Sequence, residues 1–279
     1  MKVAITGATG FIGRHVIASL LAQNVEVVAT ARMEPKASTS GDSLTFVKFD
    51  ISDPAGAFES LGEPDVLLHL AWGGLPNYRS DTHLLVELPR QIEFLSACSR
   101  SGLRRLIVAG TCLEYGMQSG QLHEDLPVEP TTAYGQSKVQ LHQYLRKLED
   151  SGGPSLTWLR LFYLYGPGQA PTSLYSQLQS AVASGASEFP MSPGDQRRDF
   201  IAIDAAVEHI CTLALMDFAS GTVNVCSGVP IDVATHARNL LQSWGSKLPL
   251  ALGRYPYPDY EPHDFWGDAR KLDSMVGKR

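Results

Sequence analysis

Tyr134 and Lys138, in the run Tyr134-Gly135-Gln136-Ser137-Lys138, have the residue types and the spacing for proton transfer. If Ala133 to Glu149 is helical, the two side chains lie one turn apart on one face, and an ammonium sits beside a phenol. A free tyrosine has a pKa of about 10 and exchanges protons poorly at neutrality, and a neighbouring positive charge favours the phenolate and lowers that value. Thr111, upstream at the end of an apolar run, offers a hydroxyl that could hold a carbonyl oxygen against the phenol. The same tyrosine and lysine spacing also arises by chance on helices whose tyrosines simply pack. Chemistry at a carbonyl needs a hydride donor as well, so the rest of the chain must build a site for one.

The N-terminal stretch has the form of such a site. Lys2 to Thr6 is a short apolar run, followed by Gly7-Ala8-Thr9-Gly10-Phe11-Ile12-Gly13 and the amphipathic stretch Arg14 to Ala22. Strand, glycine turn and helix in that order form the setting for a dinucleotide. Gly7 permits the tight turn, Gly10 lets backbone approach a pyrophosphate, and Gly13 allows close packing of helix on strand. A second strand, Val25 to Thr30, leads to Ala31-Arg32, where an acidic residue would bind the ribose 2'-hydroxyl of NAD. Arg32, with Arg14 just past the turn, suits the 2'-phosphate instead, so NADP(H) is the preferred cofactor and NAD(H) the other option. The plainer reading of Arg32 is a solvated loop arginine.

Further apolar runs end at Asp50-Ile51, at Ala71-Trp72-Gly73 and at Thr111, with helical patterns between most of them, including Thr82 to Ser101 interrupted by Pro89. This alternation predicts an α/β fold: a doubly wound parallel sheet with helices on both faces. Ligands of such sheets bind beyond the carboxyl ends of strands, where Gly7, Arg32, Asp50, Ala71 and Thr111 all fall.

Composition narrows the partners. The 279 residues are 44% hydrophobic and 19% charged, ordinary for a globular chain with one large domain or one and a half. A net charge of -6 leaves no basic footprint, so no nucleic acid is expected. Cys98, Cys112, Cys211 and Cys226 are widely spaced and read as reduced, and the histidines show no ligand spacing, so no metal is expected. No apolar stretch reaches the roughly 18 residues of a membrane span, and with no signal segment at the start the expected location is the cytoplasm.

Several motifs together are similar to one family. Gly7 to Gly13, Asp50-Ile51, His69-Leu70-Ala71, Tyr134-x-x-x-Lys138, Leu164-Tyr165-Gly166-Pro167-Gly168, Arg198-Asp199-Phe200-Ile201 with Asp204, and Asn224-Val225 with Ser227-Gly228 resemble the extended short-chain dehydrogenase/reductase (NAD-dependent epimerase/dehydratase) family, nucleotide-sugar branch. The resemblance implies a Rossmann dinucleotide-binding domain over 1–165, to which about 198–227 returns, and a smaller C-terminal substrate-binding portion over 166–279. It implies Tyr134 as acid/base, Lys138 as ribose ligand and pKa tuner, and Thr111 as the hydroxyl on the sugar oxygen. Asp50 and Ile51 would flank the adenine, with Thr9, Gly10, Phe11, Ile12, Leu70 and Ala71 also at the cofactor. A homodimer is the family expectation.

Departures within the family narrow the chemistry. Sugar 4,6-dehydratases carry Thr-Asp-Glu where this chain has Thr111-Cys112-Leu113, which argues against dehydration. A cysteine base known in the family aligns with Leu113, one position after Cys112, so epimerisation by Cys112 lacks support, although Cys112 remains a substrate-contact candidate. Glu114 stands where a small apolar residue is usual, and either contacts substrate or is a plain solvated or salt-bridged glutamate. Arg198 either forks onto a diphosphate or pairs with Asp199 or Asp195. A loop with Pro190, Pro193 and Gly194 suits a lid, and Tyr257, in the run Tyr255 to Pro262, either stacks on base or sugar or walls a loop. Gly110 to Gly116, that run, and Phe265-Trp266-Gly267-Asp268 are similar to the subgroup of dTDP-6-deoxy-L-talose 4-dehydrogenases and dTDP-4-keto-6-deoxyhexose reductases. The expected function is therefore an NADP(H)-dependent 4-ketoreductase of a nucleotide-activated, dTDP-linked 4-keto-6-deoxyhexose, with hydride delivered to C4. The alternative is a nucleotide-sugar 4-epimerase with tightly bound NAD. A non-catalytic dinucleotide sensor ranks last, because both the tyrosine and the lysine are present.

Overall fold

The computed structural model describes residues 1–32, 43–217 and 220–277. Its central sheet has seven strands, β1 (Lys2–Thr6), β2 (Glu26–Ala31), β3 (Leu44–Lys48), β4 (Val66–His69), β5 (Arg105–Thr111), β7 (Ser155–Leu161) and β11 (Gly221–Val225). Their spatial order is β3-β2-β1-β4-β5-β7-β11, all parallel. Because both faces are covered by helices, these strands read as nearly unbroken apolar runs rather than alternating ones. Successive residues still face opposite cores. Val3 and Ile5 pack with α1 (Phe11–Ala22) and α6 (Ile203–Leu215), whereas Ala4 packs with α3 (Leu88–Arg100) and α4 (Ala133–Asp150). Beside α3, the short α2 (Ala57–Ser60) closes that layer.

Strand order reverses between β1 and β4, which makes the carboxyl ends of these two strands the crevice of a Rossmann-type sheet. The sequence pattern from Thr82 to Ser101 becomes a π-helical turn (His83–Glu87) running into α3, with Pro89 in the first turn of α3, where its missing N–H is not needed. Thr132 caps α4 by accepting from Gly135 N–H at 3.1 Å, which fixes where the helix bearing Tyr134 begins.

The remaining elements form small sheets at the carboxyl edge. β8 (Tyr163–Tyr165), β10 (Arg197–Ala202) and β12 (Pro230–Asp232) make one; β9 (Phe189–Pro190) pairs with β13 (Leu250–Ala251), and β6 (Gly120–Leu122) with β14 (Phe265–Gly267). Helices α5 (Leu174–Ala183) and α7 (Val233–Ser243) enclose a separate core containing Tyr175, Leu178, Met191 and Leu240. The loop with Pro190, Pro193 and Gly194 is tied down by the β9–β13 pairing and by Ala234 N–H donating to Gly194 O at 2.9 Å. The chain then crosses back: β11 joins β7, α6 packs on α1, and α8 (Arg270–Val276) packs beside α6. All four cysteines are free and buried. Among the described residues, no helix is long and apolar enough to cross a membrane, and no group of side chains could hold a metal ion.

Candidate active site

The cofactor end begins at the β1–α1 turn. Gly7 has φ +70°, and a Cβ on it would lie 2.8 Å from Ala71 N, so the turns after β1 and β4 touch only because Gly7 is glycine. Helix α1 has no side-chain cap and no acidic residue in its first turn. Its first N–H groups are thus open to an anion, which the helix dipole also favours. From there a cleft of about 380 Å³ runs across the switch point. Gly7, Thr9 and Gly10 line one part, Arg32, Asp50 and Ile51 another, and Leu70, Ala71 and Trp72 a third. Asp50 is kept ionised: the backbone and side chain of Ser52 donate to it at 2.9 and 2.8 Å and hold its carboxyl below the usual range. The bare glycine turn, the uncapped helix and the carboxylate together fit a dinucleotide.

Not every side chain expected at the cofactor faces the cleft. The Phe11 and Ile12 side chains pack against the core under α1, so these residues offer an anion only their backbone N–H groups. Arg14 donates to Gly168 O and so ties α1 to the loop after β8 rather than to Arg32. Conversely, Ser52, Glu87 and Arg90 line the cleft and were not singled out from the sequence. Glu87 accepts from Gly73 N–H at 3.0 Å and lies 3.6 Å from Arg90; their i,i+3 spacing is the one local signal that they share a face.

A buried relay fixes the Leu70-Ala71 segment. Thr6 Oγ1 and His69 Nδ1 are 2.7 Å apart, and the opposite ring nitrogen bonds Gln91 Oε1. An amide oxygen can only accept, so His69 Nε2 carries the proton and Nδ1 accepts from Thr6. Gln91 in turn donates to Ala71 O at 3.3 Å. Burial pushes His69 down to about 3, which keeps it neutral.

Thr111, Tyr134 and Lys138 are all buried; the Thr111 side chain bonds Tyr134, and Trp72, which lines this cleft, touches both the Tyr134 ring and the Lys138 ammonium. Tyr134 enters as α4 begins, its N–H donating to Tyr78 O at 3.0 Å. Its ring is enclosed by His83, Tyr78 and Trp72 at centroid distances of 5.3, 5.6 and 5.8 Å. Lys138 donates to Ala109 O at 2.7 Å. The sequence reading put an ammonium beside the phenol to lower its pKa, and the structure reverses that sign. Burial raises the Tyr134 phenol well above its ordinary value, reinforced by Tyr78, while Thr111 pulls weakly the other way. Burial also pulls Lys138 down to about 7, against the opposing pull of Glu114 and Glu87. Desolvation favours the neutral form of each group and is the largest influence on both.

Of the two readings of Glu114, the structure has the salt bridge: it meets Arg160 at 2.8 Å, with both side chains buried. Cys112 lies in an apolar cluster with Phe162 and Phe265, and burial pushes its thiol far up, the wrong direction for a base. Arg198 pairs with neither Asp199 nor Asp195. It bonds Glu261 at 3.1 Å and His263 O at 2.7 Å, while Asp199 accepts from Ser227 and from Gly228 N–H. Tyr257 bonds Asp195 and stands edge-on to His263. The neighbouring Tyr260 packs on Tyr78, at 5.8 Å, and Arg79 pairs with Asp259, so this loop lies against the aromatic group around Tyr134.

Comparison with known proteins identifies the family. The family model described as NAD dependent epimerase/dehydratase family matches residues 3–226. A dTDP-6-deoxy-L-talose 4-dehydrogenase (NAD(P)(+)) of Kitasatospora kifunensis is 32% identical over 292 residues, covering 99% of this chain and 88% of that protein. A dTDP-6-deoxy-L-talose 4-dehydrogenase (NAD(+)) of Aggregatibacter actinomycetemcomitans is 27% identical over 270 residues, covering 96% and 99%. Among solved structures, an NAD-dependent NDP-hexosamine 5,6-dehydratase of tunicamycin biosynthesis superimposes with a TM-score of 0.84 at 27% identity, covering 100% of this chain and 91% of that one.

Proposed function

The chain belongs to the NAD dependent epimerase/dehydratase family, and from that premise we propose that it is an NADP(H)-dependent 4-ketoreductase of a nucleotide-activated 4-keto-6-deoxyhexose, dTDP-linked. The observation that carries this reading is the meeting of buried Thr111, Tyr134 and Lys138 beside Trp72, a lining residue of the cleft that starts at the uncapped α1. The names of the two talose dehydrogenases support the substrate class, and Arg32 on the cleft wall supports the 2'-phosphate.

A bound reduced nicotinamide supplies the hydride for C4, and the residues of this chain handle the oxygen. As negative charge develops there, the Tyr134 hydroxyl gives its proton to that oxygen and Thr111 donates a hydrogen bond to it. The ketone becomes a secondary alcohol and the cofactor leaves oxidised. A phenol whose pKa is raised by burial is held in the protonated form that reduction requires. The ammonium form of Lys138 offsets the negative charge left on the phenolate.

The test is to mix purified protein with dTDP-4-keto-6-deoxy sugars of the glucose and rhamnose types and to follow nicotinamide absorbance with NADPH and NADH in parallel. Rapid NADPH oxidation with one sugar is expected. No oxidation, together with NAD released on denaturation, would replace this reading by the 4-epimerase.

A further inference from the structure

Glu114 has no solvent exposure, and both of its carboxylate oxygens accept hydrogen bonds. Its Oε1 accepts from Thr111 N–H and from Trp158 Nε1, both at 2.9 Å, and its Oε2 accepts from Arg160 Nε at 2.8 Å. Arg160 lays its guanidinium over the Tyr115 ring at 4.5 Å and donates to Glu124 O at 3.0 Å. The strands make room for this cluster. Gly110 lies opposite Arg160 in the β5–β7 register, and a Cβ on it would meet Glu114 Oε1 at 2.6 Å and overlap the Trp158 indole. A buried carboxylate is costly unless it is paired and fully hydrogen-bonded, so a tryptophan, an arginine and a bare glycine are all committed to keeping this one.

The carboxylate acts on Thr111. The two residues form a capping box: Glu114 takes the Thr111 N–H, while Thr111 Oγ1 accepts from Leu113 N–H at 3.3 Å. A hydroxyl has one proton and two lone pairs. With one lone pair bound to the Leu113 amide and the backbone held by Glu114, the Thr111 proton is left free to donate beside Tyr134.

We infer that Glu114 is a positioning residue for the reaction: through the capping box it aims the Thr111 hydroxyl at the oxygen that Tyr134 protonates, and Arg160 and Trp158 hold it in place. This rests on the role proposed above for Thr111.

The experiment compares Glu114→Gln, Thr111→Val and the double variant. Glu114→Gln keeps the size and an acceptor oxygen but loses the charge facing Arg160. Its kcat should fall about 10- to 100-fold with KM for the sugar little changed, the scale expected for a catalytic group moved by up to about 1 Å. Added to Thr111→Val, it should cost nothing further, because both changes remove one interaction. Losses that multiply in the double variant, or a wild-type rate for Glu114→Gln, would overturn the inference. A slow Thr111→Val beside a fully active Glu114→Gln sinks the inference alone, whereas a fully active Thr111→Val sinks the role of Thr111 as well. If the unpaired Arg160 prevents folding, Glu114→Leu with Arg160→Leu removes both charges, and the same non-additive loss is expected. A crystal structure of whichever variant folds gives a readout independent of turnover: the Thr111 hydroxyl should turn away from Tyr134, and an unmoved hydroxyl overturns the inference.

Discussion

The ammonium of Lys138 stands 3.8 Å above the ring centroid of Trp72, nearer than the 5.7 Å that separates it from the ring of Tyr134. The indole is itself fixed, because Trp72 Nε1 donates to His83 Nδ1 at 3.1 Å while His83 Nε2 donates to Asn77 O at 2.9 Å. A loop residue after β4 therefore sets where the charge on α4 sits. An ammonium on an indole face is attracted by the ring quadrupole, most strongly away from water.

Replacing Trp72 by leucine should accordingly disturb Lys138 more than any change at the cleft rim. A desolvated cation–π contact is worth about 2 kcal/mol, so a fall of roughly tenfold or more in kcat/KM is expected, by the usual 1.4 kcal/mol per decade. Trp72→Phe keeps a ring under the ammonium and loses only the bond to His83, so it should retain more activity than Trp72→Leu. Equal rates for Trp72→Leu and the wild type would show that Lys138 holds its place without the indole.

The depressed pKa of Lys138 has consequences for both rate and stability. If reduction uses the ammonium, kcat/KM should fall as pH rises through about 7, and Lys138→Arg, which stays charged, should remove that limb. A limb that persists in Lys138→Arg belongs to another group. For stability, the unfolded chain holds the Lys138 proton up to about pH 10.5, while the folded chain releases it near 7. Between those values the unfolded state binds more protons, so this residue makes stability rise with pH and is most costly below 7. Lys138→Met should thus raise Tm at neutral and lower pH, with a gain that shrinks towards pH 10, as melting curves across that range would reveal.

Tyr134→Phe removes the proposed proton donor and leaves the ring among Trp72, Tyr78 and His83. Loss of a general acid costs about 100- to 10,000-fold. Turnover should collapse by that factor while NADPH still binds, which quenching of tryptophan fluorescence by the cofactor can measure. Near wild-type turnover would remove Tyr134 from the mechanism.

What was readable in the sequence follows from how local each signal is. The apolar runs ending at Thr6, Ala71 and Thr111 and the glycines at 7, 10 and 13 announce strands and a turn within a few residues, so the parallel sheet and its ligand edge could be derived directly. The enclosure of Tyr134 could not: Trp72, Tyr78 and His83 reach it from a segment distant in sequence, and the burial of its phenol reverses the pKa shift that helix spacing alone implies. Arg198 shows the same limit, because its partner Glu261 arrives from the far end of the chain while the acids adjacent in sequence face elsewhere. Glu114 meets Arg160 only through the register of β5 on β7, which no local pattern encodes.

Arg32 offers the test of cofactor choice. It is exposed at the end of β2 and lines the cleft with Asp50 and Arg90. A 2'-phosphate there would meet the Arg32 guanidinium, a fork suited to phosphate, whereas the ribose hydroxyls of NAD need only a carboxylate acceptor. Arg32→Asp exchanges one for the other. It should reduce kcat/KM for NADPH while sparing or raising that for NADH, so the NADPH to NADH ratio should fall by about tenfold or more, on the scale of a single charge-assisted contact of 1.5–3 kcal/mol. The same substitution adds a carboxylate near Asp50 and Glu87, which should deepen the discrimination against phosphate. An unchanged ratio would transfer the role to Arg90, which also lines the cleft, and Arg90→Ala would then be the variant whose preference shifts.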